Sequence, residues 1–198
     1  MDNHEFAARF KRYADILGEE SDRGSIIVGA AIVEDLLEQV LVARLVPALE
    51  KDDELFSGAS APAGTFSAKI DLAYRVGCIG LVQRSTFHLI RKMRNDAAHA
   101  GDQRDMDTPQ LQNRLRELFR LQEEPVKALW ATIQGTEYMK TFLAARGSHP
   151  QDLVSGIGWR LSWNMLVASL ATGLSELPEQ ESRLRLQEPP PSKEPPSA

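Results

Sequence analysis

The chain has 198 residues, a formal net charge of -5 and 42% apolar residues. That length fits one domain, or one domain and a tail, and the apolar share supplies a core once a polar tail is set aside. The acidic balance excludes a domain that grips nucleic acid mainly through phosphates, which is usually basic, so any such contact needs a local patch.

Met1 to Glu5 is acidic and polar and lacks the basic start and apolar centre of a signal peptide. Phe6, Phe10, Tyr13 and Leu17 share one face of a helix from Phe6 to Leu17, and Gly18 favours its end. Ser21 is placed to cap a second helix, with Asp22 suited to the positive end of the helix dipole. Ile26, Ile27, Ala30, Val33, Leu37, Val40 and Leu41 recur along it at helical spacing. From Ile26 to Val33 it is apolar all round, which predicts a central, buried helix; Pro47 ends it or opens a new turn. Glu34, Asp35 and Glu38 have no matched histidines, so they read as a solvated face or as salt-bridge partners.

Ser57 to Gly64 is small and flexible, a loop signal. Thr65 or Ser67 then caps a helix through Val76, with Ile70, Ala73, Tyr74 and Gly77 in register; Gly77 and Gly80 mark its end. Cys78 is the single cysteine, which excludes an intrachain disulfide and a zinc site built on several cysteines. Its apolar setting predicts a buried structural thiol, and its isolation points to a reducing, cytoplasmic compartment.

The next helix spans about Arg84 to Ala98. At about 100° per residue, Thr86, Ile90, Met93 and Ala97 fall on a core side, and Arg84, His88, Arg91, Asn95 and His99 on a basic side facing outward. Gly101 to Asp107 reads as a charged loop, and Thr108-Pro109 as a helix start with proline at the first position. Leu111, Leu115, Leu118 and Phe119 form that helix's buried stripe; Pro125 breaks or kinks it, and Val126, Leu129, Trp130 and Ile133 continue the pattern. Thr136-Glu137 starts a helix to Arg146, and a last helix runs from about Gln151 to Leu174.

That last stretch is the longest apolar one. Arg160, Asn164 and several glycines and serines interrupt it, so no membrane span is expected. It is apolar on more than one face, with Trp159, Trp163 and Leu166 on one and Ile157, Leu161 and Met165 on another, which predicts a homodimer interface. From Pro178 the composition turns proline-rich and cannot bury a core. The expected fold is therefore all-α. It is a compact bundle of about six or seven helices over residues 1–177, with a disordered Pro-rich C-terminal tail over 178–198.

No metal and no cofactor are expected. His4 and His149 have no metal-ligand spacing, and no Gly-rich phosphate loop is present. Chemistry concentrates instead in Arg94-Asn95-Asp96-Ala97-Ala98-His99. Arg84, His88, Arg91 and Asn95 on the same helix are candidates for binding a ligand or an anion, because guanidinium matches oxyanion geometry.

Four blocks follow in order: Ser21 to Glu38, Leu55-Phe56, Thr65 to Gly77, and Ile90 to His99. In this order and spacing they resemble the mannitol operon repressor family over about residues 20–125, with a departure at Ala97, where a large apolar residue is usual. The resemblance implies an all-helical bacterial protein linked to transcriptional repression. No helix-turn-helix with a basic recognition helix is present, so a non-enzymatic regulator working through a protein partner is the expected mechanism. The Arg94-x4-His99 spacing also resembles the signature of the HEPN superfamily. That likeness implies an alternative: a metal-independent endoribonuclease acting on RNA, with His99 activating the ribose hydroxyl and Arg94 stabilising phosphate charge across a dimer. On one ideal helix Arg94 and His99 lie roughly 140° apart, so their meeting needs a helix end near Ala98 or a second subunit.

Overall fold

A computed structural model describes residues 3–49, 53–99, 106, 108–146, 152–180 and 182–184. Every regular element among them is helical: α1 (Asn3–Gly18), α2 (Asp22–Arg44), α3 (Phe66–Arg75), α4 (Leu81–His99), α5 (Pro109–Leu121), α6 (Glu123–Gln134), α7 (Glu137–Arg146) and α8 (Leu153–Gln180). The all-α expectation holds, with eight helices among the described residues rather than six or seven. The extra element arises at Gln122, which separates α5 from α6. Pro125 marks the expected break: in a continuous helix its ring would meet the Leu121 carbonyl and its missing N–H could not bond to it. It sits in the first turn of α6, where a missing N–H leaves no intrahelical bond unmade.

The helix starts follow from side-chain chemistry. Ser21 has extended backbone and its hydroxyl accepts from the Gly24 N–H at 3.0 Å, one of the four donors a helix start leaves orphaned. Thr65 does the same for α3, accepting from the Ala68 N–H at 3.2 Å.

α2 and α8 form the centre. α2 packs on α8 along one side and on α3 and α4 along the other; α1 lies on α8, α5 on α4, α6 on α8 and α7 on α6. This is why α2 is apolar all round: Ile26, Ala30, Val33, Leu37, Val40 and Leu41 are all buried. Leu17, Ile70, Phe87, Ile90, Met93, Leu115, Leu118 and Trp163 complete the core from the neighbouring helices. Cys78 is buried, as its context predicted.

α8 departs most from expectation. It runs through Pro178 to Gln180, beyond the expected end at Leu174, and it is broken at Gly158, where φ is 80° and ψ 167°. Its apolar surplus is used largely within the chain. Trp163 and Leu166 are buried in the core and Trp159 stacks on Phe119, while Leu161 stays exposed. A helix gripped by α1, α2 and α6 needs more than one apolar face without a second subunit.

Past α8, the Leu184 N–H donates to the Arg44 carbonyl at 2.8 Å, and the Arg44 side chain donates to the Ser182 carbonyl. The proline-rich segment beyond residue 184 lies outside the described residues. Of the 101–107 loop only Met106 is described. It is buried, and its N–H donates to Asp22 at 2.9 Å. No helix among the described residues is long and apolar enough to cross a membrane.

Candidate functional site

α4 is packed against α2, α3 and α5, and its position fixes the site. Thr86, Ile90, Met93 and Ala97 are buried as the periodicity predicted, joined by Phe87 and Leu89. The buried arc is wider than expected, so the basic side does not face freely outward. Arg84, His88, Arg91, Arg94 and Asn95 are all only partly exposed, and carboxylates from α2 and α3 meet several of them.

At the start of α4, Arg84 donates from Nε and Nη2 to Asp71 Oδ1 at 2.9 and 2.6 Å, and His88 Nε2 lies 3.2 Å from the same oxygen. The Arg84 hydrogen bonds hold the Asp71 carboxyl below the usual carboxylate range against the opposing effect of burial; His88 adds to the lowering. The Arg84 guanidinium also lies over the Tyr74 ring, 5.5 Å from its centroid.

Two turns on, Arg94 Nη2 donates to Glu34 Oε2 on α2 at 3.1 Å, and Nη1 donates to Asn95 Oδ1 at 3.4 Å. Lys69 of α3 reaches the same cluster, 2.7 Å from Glu38 and 3.4 Å from Glu34. Its ammonium is buried. Burial is the largest influence and draws its pKa down, but the hydrogen bonds and charges of Glu38 and Glu34 outweigh it and the net shift is upward.

These pairs place the sequence candidates. Arg84 and His88 are committed to Asp71, and Arg94 to Glu34; Asp96 pairs with Arg114 of α5. Glu34 and Glu38 take the salt-bridge role open to them, while Asp35 is exposed and accepts from Gln39. His99 is exposed at the end of α4. Within this chain Arg94 turns to α2, so it and His99 are not gathered into one constellation. Arg91 differs from all of these: its Nε is shielded from solvent and has no hydrogen-bond partner.

Sequence reasoning missed Lys69. The signal was present, since Phe66, Lys69, Ile70 and Ala73 share the i, i+3, i+4, i+7 spacing of a buried face. It missed Arg160 as well. That side chain donates to the carbonyls of Leu17 and Glu20 at 2.8 and 2.6 Å, to Asn164 Oδ1, and pairs with Asp22 at 3.1 Å. It fastens the α1–α2 turn to α8, which is architecture rather than chemistry. A separate cleft of about 420 Å³ opens between α7 and the broken start of α8, walled by Met139, Phe142, Val154, Ile157 and Leu161. Among the described residues no group of three or more His, Cys, Asp or Glu is arranged to hold a metal ion.

No family model matches the chain, and no curated protein matches it. Among solved structures, it is similar to a chain of the X-ray structure of the MtlR-HPr complex from Escherichia coli. The TM-score is 0.55 at 17% identity, covering 86% of this chain and 98% of the other. At that identity the likeness is one of fold, and it extends over nearly the whole of the other chain.

Proposed function

We propose that this chain is a regulator of the mannitol operon repressor type, non-enzymatic, that acts by binding a protein partner. The observation that supports it most is the fold shared along 98% of a chain in the MtlR-HPr complex. Three of the four sequence blocks that resemble the repressor family fall on α2, α3 and α4, the helices that build the charged site, and Leu55-Phe56 lies between α2 and α3. A net charge of -5 and the lack of a basic recognition helix argue against direct reading of DNA. The partner proposed is a small protein of the HPr kind.

Titration of the purified protein with HPr in a calorimeter tests this reading. Saturable binding with a Kd on the order of micromolar, the range of many transient regulatory contacts, is the expected result. Absence of binding to the HPr proteins of several bacteria would overturn the partner assignment. The ribonuclease alternative predicts cleavage of RNA in EDTA that Arg94→Ala and His99→Ala both lose. The commitment of Arg94 to Glu34 predicts no cleavage by the parent protein.

A further inference from the structure

We propose that Arg91 is the receptor of a small-molecule phosphate group, held on the basic side of α4 between the Arg84–Asp71–His88 pair and the Arg94–Glu34–Lys69 cluster. The argument starts from which charges are already matched. Asp71 is bound by Arg84 and His88. Glu34 is bound by Arg94 and Lys69, and Glu38 by Lys69. Arg91 lies along the same helix face and forms no ion pair among the described residues, although it is only partly exposed. A guanidinium is charged at every physiological pH, and an anion is the ligand that offsets its partial burial most strongly. Its Nε–H is already shielded from water with no acceptor, and a buried donor left unmade is unfavourable.

The neighbouring groups define the ligand. Asn95 is one turn beyond Arg91 on the same face, and its Oδ1 accepts from Arg94. Its amide N–H groups are further donors one turn from Arg91. The Arg91 fork and the Asn95 amide together offer more donors than the two oxygens of a carboxylate use, and they suit the three oxygens of a phosphate monoester. The acidic chain repels a polyanion, which favours a small phosphorylated molecule over nucleic acid.

The test uses the full chain and inorganic phosphate as the probe. At fixed ionic strength, phosphate raises the thermal midpoint in a saturable way, and acetate gives a clearly smaller rise. Arg91→Gln weakens phosphate binding by about tenfold or more, as loss of a charge-assisted contact does. Arg120→Gln, an exposed α5 arginine, leaves it unchanged. Asn95→Asp is the second variant. It sets a carboxylate one turn from Arg91 and abolishes the phosphate response even if Arg91→Gln fails to fold. An equal response to phosphate in the parent and in both variants overturns the site. So does an acetate response equal to that of phosphate. Arg91-dependent binding of an RNA oligonucleotide without binding of phosphate overturns the small-molecule assignment. None of these readouts depends on the protein partner.

Discussion

Gly158 holds a φ of 80° and ψ of 167°, a region that is almost exclusively glycine's. Gly158→Ala is expected to lower stability by about 1–3 kcal/mol in urea unfolding; an unchanged midpoint would mean that the break can be built another way. Two residues earlier, a Cβ on Gly156 would stand 2.2 Å from Trp130 Cη2. The ring is packed in place, so Gly156→Ala should cost about 1–3 kcal/mol through overpacking and should change the tryptophan emission. Asp71 carries the clearest pH dependence among the carboxylates of the candidate site. Its folded pKa lies below its unfolded value of about 3.9, so its contribution is present above that pH and is lost as pH falls through the folded value. Because its side chain is 47% exposed the effect is small. Asp71→Asn should be slightly less stable than the parent at pH 7 and indistinguishable from it near pH 2. A difference that persists at low pH would show that packing, not charge, had been lost. None of these three positions could be ranked from the sequence. A glycine in an apolar helix pattern is the same letter whether it fits a tryptophan ring, breaks the helix or does nothing.

At the scale of elements, Lys69 ties α3 to α2 beside the contact of α4 with α2. Its side chain is 9% exposed, and its partners Glu34 and Glu38 are 19% and 36% exposed. Lys69→Ala removes the cation and leaves Glu34 with Arg94 alone and Glu38 without its ammonium partner, a loss on the order of 3 kcal/mol. Lys69→Met keeps the apolar stem and should cost clearly less. Equal losses for the two, measured by chemical denaturation, would mean that the ion pairs rather than packing of the stem account for the loss. Periodicity placed α2, α3 and α4 within a few residues and identified Thr86, Ile90, Met93 and Ala97 as the inner side of α4. It could not show which carboxylate each arginine of the outer side would meet. That depends on the crossing of α2 and α4, residues 60 positions apart in the case of Arg94 and Glu34.

At the scale of the whole molecule, the core links α1 to α5 with α8, whereas the buried Trp130 of α6 and Met139 of α7 lie outside it. α7 packs chiefly on α6. Local stability follows the density of such buried contacts. Hydrogen exchange should therefore be slowest in α2 and in α8 beyond Gly158, and should run markedly faster through α7. Equal protection of α7 and α2 would show that the chain unfolds as one unit and that the smaller cluster is no weaker. The same architecture explains why the two-faced apolar character of α8 suggested a dimer: a helix central to a bundle and a helix at an interface have the same composition.

By itself the sequence determined the helical class, the cap at Ser21, the central place of α2, the inner side of α4 and the burial of Cys78. Each depends on spacing or chemistry within a few residues of chain. Tertiary structure alone decided that Lys69 pairs with Glu34 and Glu38, that α8 breaks at Gly158 and packs within the chain, that Arg94 turns to Glu34, and that Arg91 meets no carboxylate among the described residues. Pairing between charges is a property of distance in space, and the contacts that set it join residues far apart in sequence.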